Sequence, residues 1–318
     1  MATAEQLKSL IKSHYLDDDE RFYTIALQVA AHEAKKGNKL LANDIKKIID
    51  SNEKKKKSIF IALSPELVGL VIIQQPNTPR NALILTDTLS KRIDKIIFEF
   101  RHQTKLSSYG LRNRRKILLS GPPGTGKTMS AHVLANELHL PLYTIQLDQL
   151  VTKFMGETSA KLRLVFDLIQ QSQGVYLFDE FDAIGSKRSM DNDVGEIRRV
   201  LNSFLQFIEQ DNSNSLIIAS TNNIKLLDQA LFRRFDDLLY YELPDEKQRL
   251  NLTQNIFSVL GDIDIDWEII VKRSEGLSHS EIEQACKDVI KGAVLNGTFL
   301  INEEEFIKSV EERHFNQS

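Results

Sequence analysis

Residues 116–128 read Lys116-Ile-Leu-Leu-Ser-Gly121-Pro-Pro-Gly-Thr-Gly-Lys127-Thr128. Ile117 to Leu119 form a short apolar run of strand type, and beyond the glycines Ala131, Leu134, Ala135 and Leu138 recur at helical spacing. A strand, a glycine-rich turn and a helix in that order carry the pattern G-x-x-x-x-G-K-[ST]. Glycine lets the backbone wrap a phosphate, so that successive N–H groups and the helix N-terminus point at the anion. The stretch Gly121, Pro122, Pro123, Gly124, Thr125, Gly126, Lys127, Thr128 and Met129 is therefore the expected nucleotide-binding segment. Lys127 is expected at the β and γ phosphates, and the Thr128 hydroxyl at a magnesium ion.

Downstream, strand-like and helix-like segments alternate, the pattern of a parallel sheet covered by helices. Strands are expected near Ile117–Ser120, Leu142–Leu147, Val175–Phe178, Ser215–Ser220 and Leu238–Leu243. Leu162, Val165, Phe166 and Ile169 make one helical stripe, and Ile197, Val200, Leu201, Phe204, Leu205 and Ile208 another. The run Val175-Tyr-Leu-Phe-Asp179-Glu180 ends an apolar strand in two carboxylates, at the edge where open α/β sheets bind ligands. After a phosphate loop this pair suits ATP hydrolysis: Asp179 to hold magnesium and Glu180 to orient the attacking water. Ser215-Leu-Ile-Ile-Ala-Ser-Thr-Asn222 ends another apolar strand. Asn222 reads equally as a neutral hydrogen-bonding group for the γ phosphate or water and as a turn former before Asn223.

The predicted architecture is α/β, a P-loop NTPase sheet with helices on both faces, flanked by helical modules. Residues 1–57 show helical spacing at Ile25, Ala26, Val29 and Ala30, then end in a lysine-rich linker. Residues 58–81 are left without a structural assignment, 82–243 form the ATPase core, and 244–318 form a helical lid. In the lid, Ser278-x-x-Glu281 reads as a capping box ahead of a stripe containing Ile282, Ala285, Cys286 and Val289. Cys286 is the only cysteine, which leaves no intrachain disulfide and no cysteine-rich metal site. A net charge of -3 argues against a general affinity for nucleic acid or anionic membrane. With no basic leader or membrane-length apolar stretch seen, a cytoplasmic protein is expected.

From about Ala82 onward the chain resembles the ATPase module of the AAA family, nearest in style to the remodellers katanin and spastin. The phosphate loop, the Leu-Phe-Asp-Glu strand, the Ser-Thr-Asn strand end and Leu227-Asp-Gln-Ala-Leu-Phe-Arg233-Arg234-Phe-Asp236 follow that family's order. The resemblance implies a homohexameric ring in which Arg233 and Arg234 reach the ATP of the neighbouring subunit. It makes Lys153-Phe154-Met155-Gly156-Glu157 a pore loop, with Phe154 and Met155 gripping a threaded polypeptide, and 186–193 a second pore segment. Arg198 and Arg199 fall on a helix that often meets the adjacent subunit. Residues 1–57 are the expected contact for a client or adaptor, and a separately encoded protease is a further expected partner. His279 departs from the lid pattern, standing where glycine is common. Two other classes stay open here: a nucleotide-gated scaffold that threads nothing, and a DNA-dependent ATPase, against which the charge balance counts.

Overall fold

The computed structural model describes residues 8, 13, 19–38, 42–44, 63–150, 157–182, 194–224, 232–258, 265–297, 301 and 303–315, with backbone alone at 19–23, 35 and 194–199. Two compact units divide the chain, residues 1–62 and 63–318. In the first, helix α1 (Asp19–Lys35) buries Ile25, Ala26, Val29 and Ala30, the stripe expected from spacing.

The second unit is built on six strands: β1 (Val71–Gln74), β2 (Lys116–Ser120), β3 (Leu142–Ile145), β4 (Val175–Phe178), β5 (Leu216–Thr221) and β6 (Asp237–Tyr240). Their order is β1-β3-β4-β5-β2-β6, with β1 antiparallel to β3 and every other pair parallel. Helices covering both faces explain why β4 and β5 are buried along their whole length. Alternate residues separate the two cores. Leu118, Tyr143, Tyr176, Phe178 and Ile217 pack with α6 (Glu157–Gln171) and α7 (Val194–Gln210). Ile117, Leu119, Val175, Leu177 and Ile218 pack with α2 (Asp87–Arg101) and α4 (Lys127–Leu138). Between these lie the short helices α3 (Gln103–Ser108) and α5 (Leu147–Leu150).

Three boundaries differ from expectation. The strand expected to reach Leu147 stops at Ile145: the Gln146 N–H makes one further bond to the Leu70 carbonyl at 2.9 Å, and α5 begins at Leu147. The last strand spans Asp237–Tyr240 and does not continue to Leu243, although the Tyr241 N–H still donates to the Ser120 carbonyl at 2.7 Å. Finally, the segment left without assignment supplies β1, whose Val71, with the preceding Leu67 and Leu70, joins the core beside Leu147, Leu150 and Leu162.

The lid comprises α8 (Glu246–Phe257), α9 (Trp267–Arg273), α10 (His279–Leu295) and α11 (Glu303–Phe315). Its own core gathers Phe257, Ile270, Ile282, Cys286 and Phe306, with the Phe257 and Phe306 rings edge to face at 6.0 Å. Burial pushes the Cys286 thiol up to about 12, as befits a packing residue. The expected capping box at Ser278 and Glu281 starts α10, and a second, Asp245 with Gln248, starts α8. Among the described residues no helix is long and apolar enough to cross a membrane.

Candidate active site

β2 delivers the glycine-rich loop to the carboxyl-terminal edge of the sheet, and α4 starts at Lys127 after a left-handed Gly126. Two glycines are required by close approach. A Cβ on Gly124, whose φ is +71°, would collide with the hydroxyls of Ser278 and Ser280 in the lid. One on Gly121 would collide with the Tyr241 carbonyl. Lys127 is buried, and its Nζ donates to the carbonyls of Gly121 and Pro122, both at 2.7 Å. Burial lowers its pKa from the ordinary lysine value, while the charges of Asp179, Asp182 and Glu180 oppose that shift.

Parallel register sets Phe178 beside Ala219 and Ser120 beside Thr221, so β4, β5 and β2 end together. The Thr128 hydroxyl consequently donates to Asp179 Oδ2 at 2.7 Å. Asp179 Oδ1 accepts from the Ser220 hydroxyl and, at 3.1 Å, from the Glu180 backbone N–H. Glu180 is exposed and left-handed at φ 52°. A non-glycine residue held there stores roughly 1–3 kcal/mol, a cost met most often at functional sites. Asn222 follows β5 directly, and its backbone N–H donates to Asp182 Oδ1 at 3.4 Å. The loop, both carboxylates and Asn222 therefore share one edge of the sheet.

Arg233 and Arg234 do not join them. They precede β6, which runs parallel to β2, and so lie at the amino-terminal edge. Asp236 fixes the turn there by accepting the backbone N–H groups of Arg115 and Lys116, each at 2.9 Å. Arg233 is exposed and makes no ion pair among the described residues; Arg234 meets Glu209 at 3.0 Å. Phe154, Met155 and 186–193 lie outside the described residues, as do the side chains of Arg198 and Arg199.

Sequence reading overlooked three supports. Ser220 orients Asp179, although its only local signal was the polar strand end it occupies. Asp182 holds the turn after β5. Tyr241 is buried, and its hydroxyl donates to Ser130 Oγ on α4 at 2.6 Å, a partner 111 residues away that no local pattern reveals. The lid also touches the loop: the Ser280 N–H donates to the Gly124 carbonyl at 3.0 Å.

This cradle fits a nucleotide triphosphate. The loop runs from the end of β2 straight into the N-terminus of α4, whose free backbone N–H groups suit an anion, and Lys127 at that terminus supplies the cation. The adjacent Thr128 hydroxyl and Asp179 carboxylate are hard oxygen donors. They fit magnesium, which takes one or two carboxylates and completes its shell with water and phosphate.

Residues 117–243 match the family model described as "ATPase family associated with various cellular activities (AAA)". An uncharacterized AAA family ATPase of Sinorhizobium fredii (strain NBRC 101917 / NGR234) is 32% identical over 324 residues, covering 100% of this chain and 94% of that protein. A proteasome-activating nucleotidase of Thermococcus onnurineus (strain NA1) is 31% identical over 256 residues, 78% of this chain and 64% of its own length. A putative 26S proteasome regulatory subunit homolog of Methanothermobacter marburgensis is 32% identical over 204 residues, 63% of this chain and 55% of its own. This chain thus spans less than two thirds of either archaeal relative.

Proposed function

This chain belongs to the AAA family of ATPases, and from that premise we propose that it assembles as a homohexameric ring, hydrolyses ATP between subunits, and spends the cycle remodelling or threading a protein client. The observation that carries the inter-subunit step is the placement of the arginine turn at the sheet edge opposite the phosphate loop. At least the four residues of β6 separate the two, roughly 13 Å of strand. Arg233 therefore serves a neighbour's ATP and not its own.

In this cycle Lys127 and the loop N–H groups bind the phosphates, and Glu180 orients a water at the γ phosphate, with Asn222 as a second, neutral contact. Thr128 and Asp179 would hold a magnesium ion, which would supply charge compensation for the phosphates. Arg233 of the adjacent subunit stabilises charge on the transferring group, and loss of the γ phosphate loosens that junction. Arg234 lies beside it at the same junction. Phe154 and Met155, which follow α5 in the sequence, grip the client as the junctions open and close. Residues 1–57 select the client or adaptor, in the cytoplasm. The names of the archaeal relatives support a separate protease as a downstream partner.

A mixing experiment tests the arrangement. Glu180→Gln keeps a working arginine turn on a dead water site, and Arg233→Ala keeps the converse. Each alone is expected to be nearly inactive, whereas co-assembled subunits should regain ATPase activity at the junctions where both intact halves meet. Mass measured by light scattering with ATP should correspond to six subunits. Rings that co-assemble without any recovery would show that the arginine does not act across the junction. Unfolding of a fluorescent client, lost in Phe154→Ala rings that still hydrolyse ATP, separates threading from a nucleotide-gated scaffold.

A further inference from the structure

His279 is the first residue of α10 and a departure from the lid pattern. Both of its ring nitrogens are buried, and neither meets a protein hydrogen-bond partner among the described residues. The Ile84 backbone lies close enough to oppose the effect of burial on the ring, yet neither ring nitrogen meets full hydrogen-bond geometry with it. The ring lines a small cavity, about 20 Å³, together with Leu85, Thr86, Tyr241, Gln248 and Thr125 of the phosphate loop. That space admits one small polar group, such as an exocyclic amine or a hydroxyl.

The position of this ring is well determined. Ser278 and Glu281 close the capping box on either side of it, and the neighbouring Ser280 N–H is bonded to the Gly124 carbonyl. Ile84 packs against the lid core from the segment ahead of α2. Burial lowers the His279 pKa from the ordinary imidazole value, with the Asp245 charge and the Ile84 backbone opposing. A neutral ring offers one donor and one acceptor. Leaving both unmatched in a buried setting is unfavourable, and a ligand atom that matches them gains correspondingly.

We infer that His279 is a specificity-determining residue that hydrogen-bonds the nucleoside half of the nucleotide whose phosphates the loop holds, through the base edge or a ribose hydroxyl. The inference rests on the nucleotide site proposed above and adds to it a side chain that discriminates a nucleoside triphosphate from bare triphosphate.

The test uses the full chain and measures Kd by calorimetry for ATP, GTP, 2′-deoxy-ATP and inorganic triphosphate, in wild type, His279→Gly and His279→Asn. The expected result is a rise of about 5- to 30-fold in the ATP Kd of His279→Gly, equal to one or two net hydrogen bonds. Triphosphate binding should be unchanged, and His279→Asn, which keeps a donor and an acceptor, should recover part of the loss. A difference abolished with 2′-deoxy-ATP assigns the contact to the 2′-hydroxyl; one retained there but lost with GTP assigns it to the base edge, and one retained with both assigns it to the 3′-hydroxyl. Equal weakening of ATP and triphosphate would make His279 a support for lid and loop and overturn the inference, as would unchanged ATP affinity. Failure of wild type to bind ATP or triphosphate would instead remove the nucleotide site itself.

Discussion

At the carboxyl-terminal edge of the sheet Thr128, Asp179 and Ser220 share hydrogen bonds, whereas at the amino-terminal edge Arg233 stands exposed beside a turn that is otherwise tightly fastened. The fastening is considerable. Asp236 holds two backbone N–H groups, and the nearby Arg115 is buried in an ion pair with Asp211. A fastened turn that presents a guanidinium to solvent, with no ion pair among the described residues, has the form of a group meant for another molecule. The opposite edge has the form of a receptor, with its own cation, Lys127, already engaged on the loop carbonyls. In the proposed ring, this contrast corresponds to two half-sites on each subunit, facing different neighbours.

The contrast predicts graded outcomes. Arg233→Ala is expected to lower kcat by about 10³ to 10⁵, the range for arginines supplied across a junction to a transferring phosphoryl group. The Kd for ATP on isolated subunits should stay the same. Steady-state kinetics beside binding to the monomer checks this, and a parallel loss of monomer affinity would place the arginine at its own nucleotide.

Asp211→Ala removes the fastening instead of the finger. It strands the buried Arg115, whose side chain is 6% exposed against 0% for Asp211. Losing one partner of such a pair costs about 3–5 kcal/mol, read as a lower midpoint in denaturant. ATP affinity measured below that midpoint should hold, since the change lies at the far edge. A fall in affinity at full folding would mean that the two edges are coupled through the strands.

The smallest effect is expected from Glu209→Gln. Its pair with Arg234 is partly exposed on both sides, 38% and 57%, so stability should change by less than about 1 kcal/mol. A change in ATPase rate well beyond that scale would assign Arg234 a role at the junction controlled by Glu209.

Much of the active edge was legible before any coordinates. The loop from Gly121 to Thr128 and the Asp179-Glu180 strand end are contiguous, and their spacing alone constrains the backbone. The lid capping box was legible for the same reason, since Ser278 and Glu281 meet within one helical turn. β1 was not. Val71–Gln74 is short, with Pro65 and Gly69 ahead of it and Pro76 behind, and it becomes a strand because β3 offers an edge and Leu70 pairs with Gln146. Ser220 and Tyr241 were likewise silent, their roles depending on partners 41 and 111 residues away.

Local spacing thus picked out a phosphate loop and a carboxylate pair at a strand end, and the family resemblance added the paired arginines. Strand order and helix packing settled where each part stands. Parallel pairing of β2 with β6 put the arginines at the edge away from the loop, and docking of α10 against Gly124 buried an imidazole beside it. The division has a physical cause. Motif chemistry is written in contacts within a few residues, where covalent geometry limits the choices. The placement of edges and lids depends on long-range burial, which no short window of sequence contains.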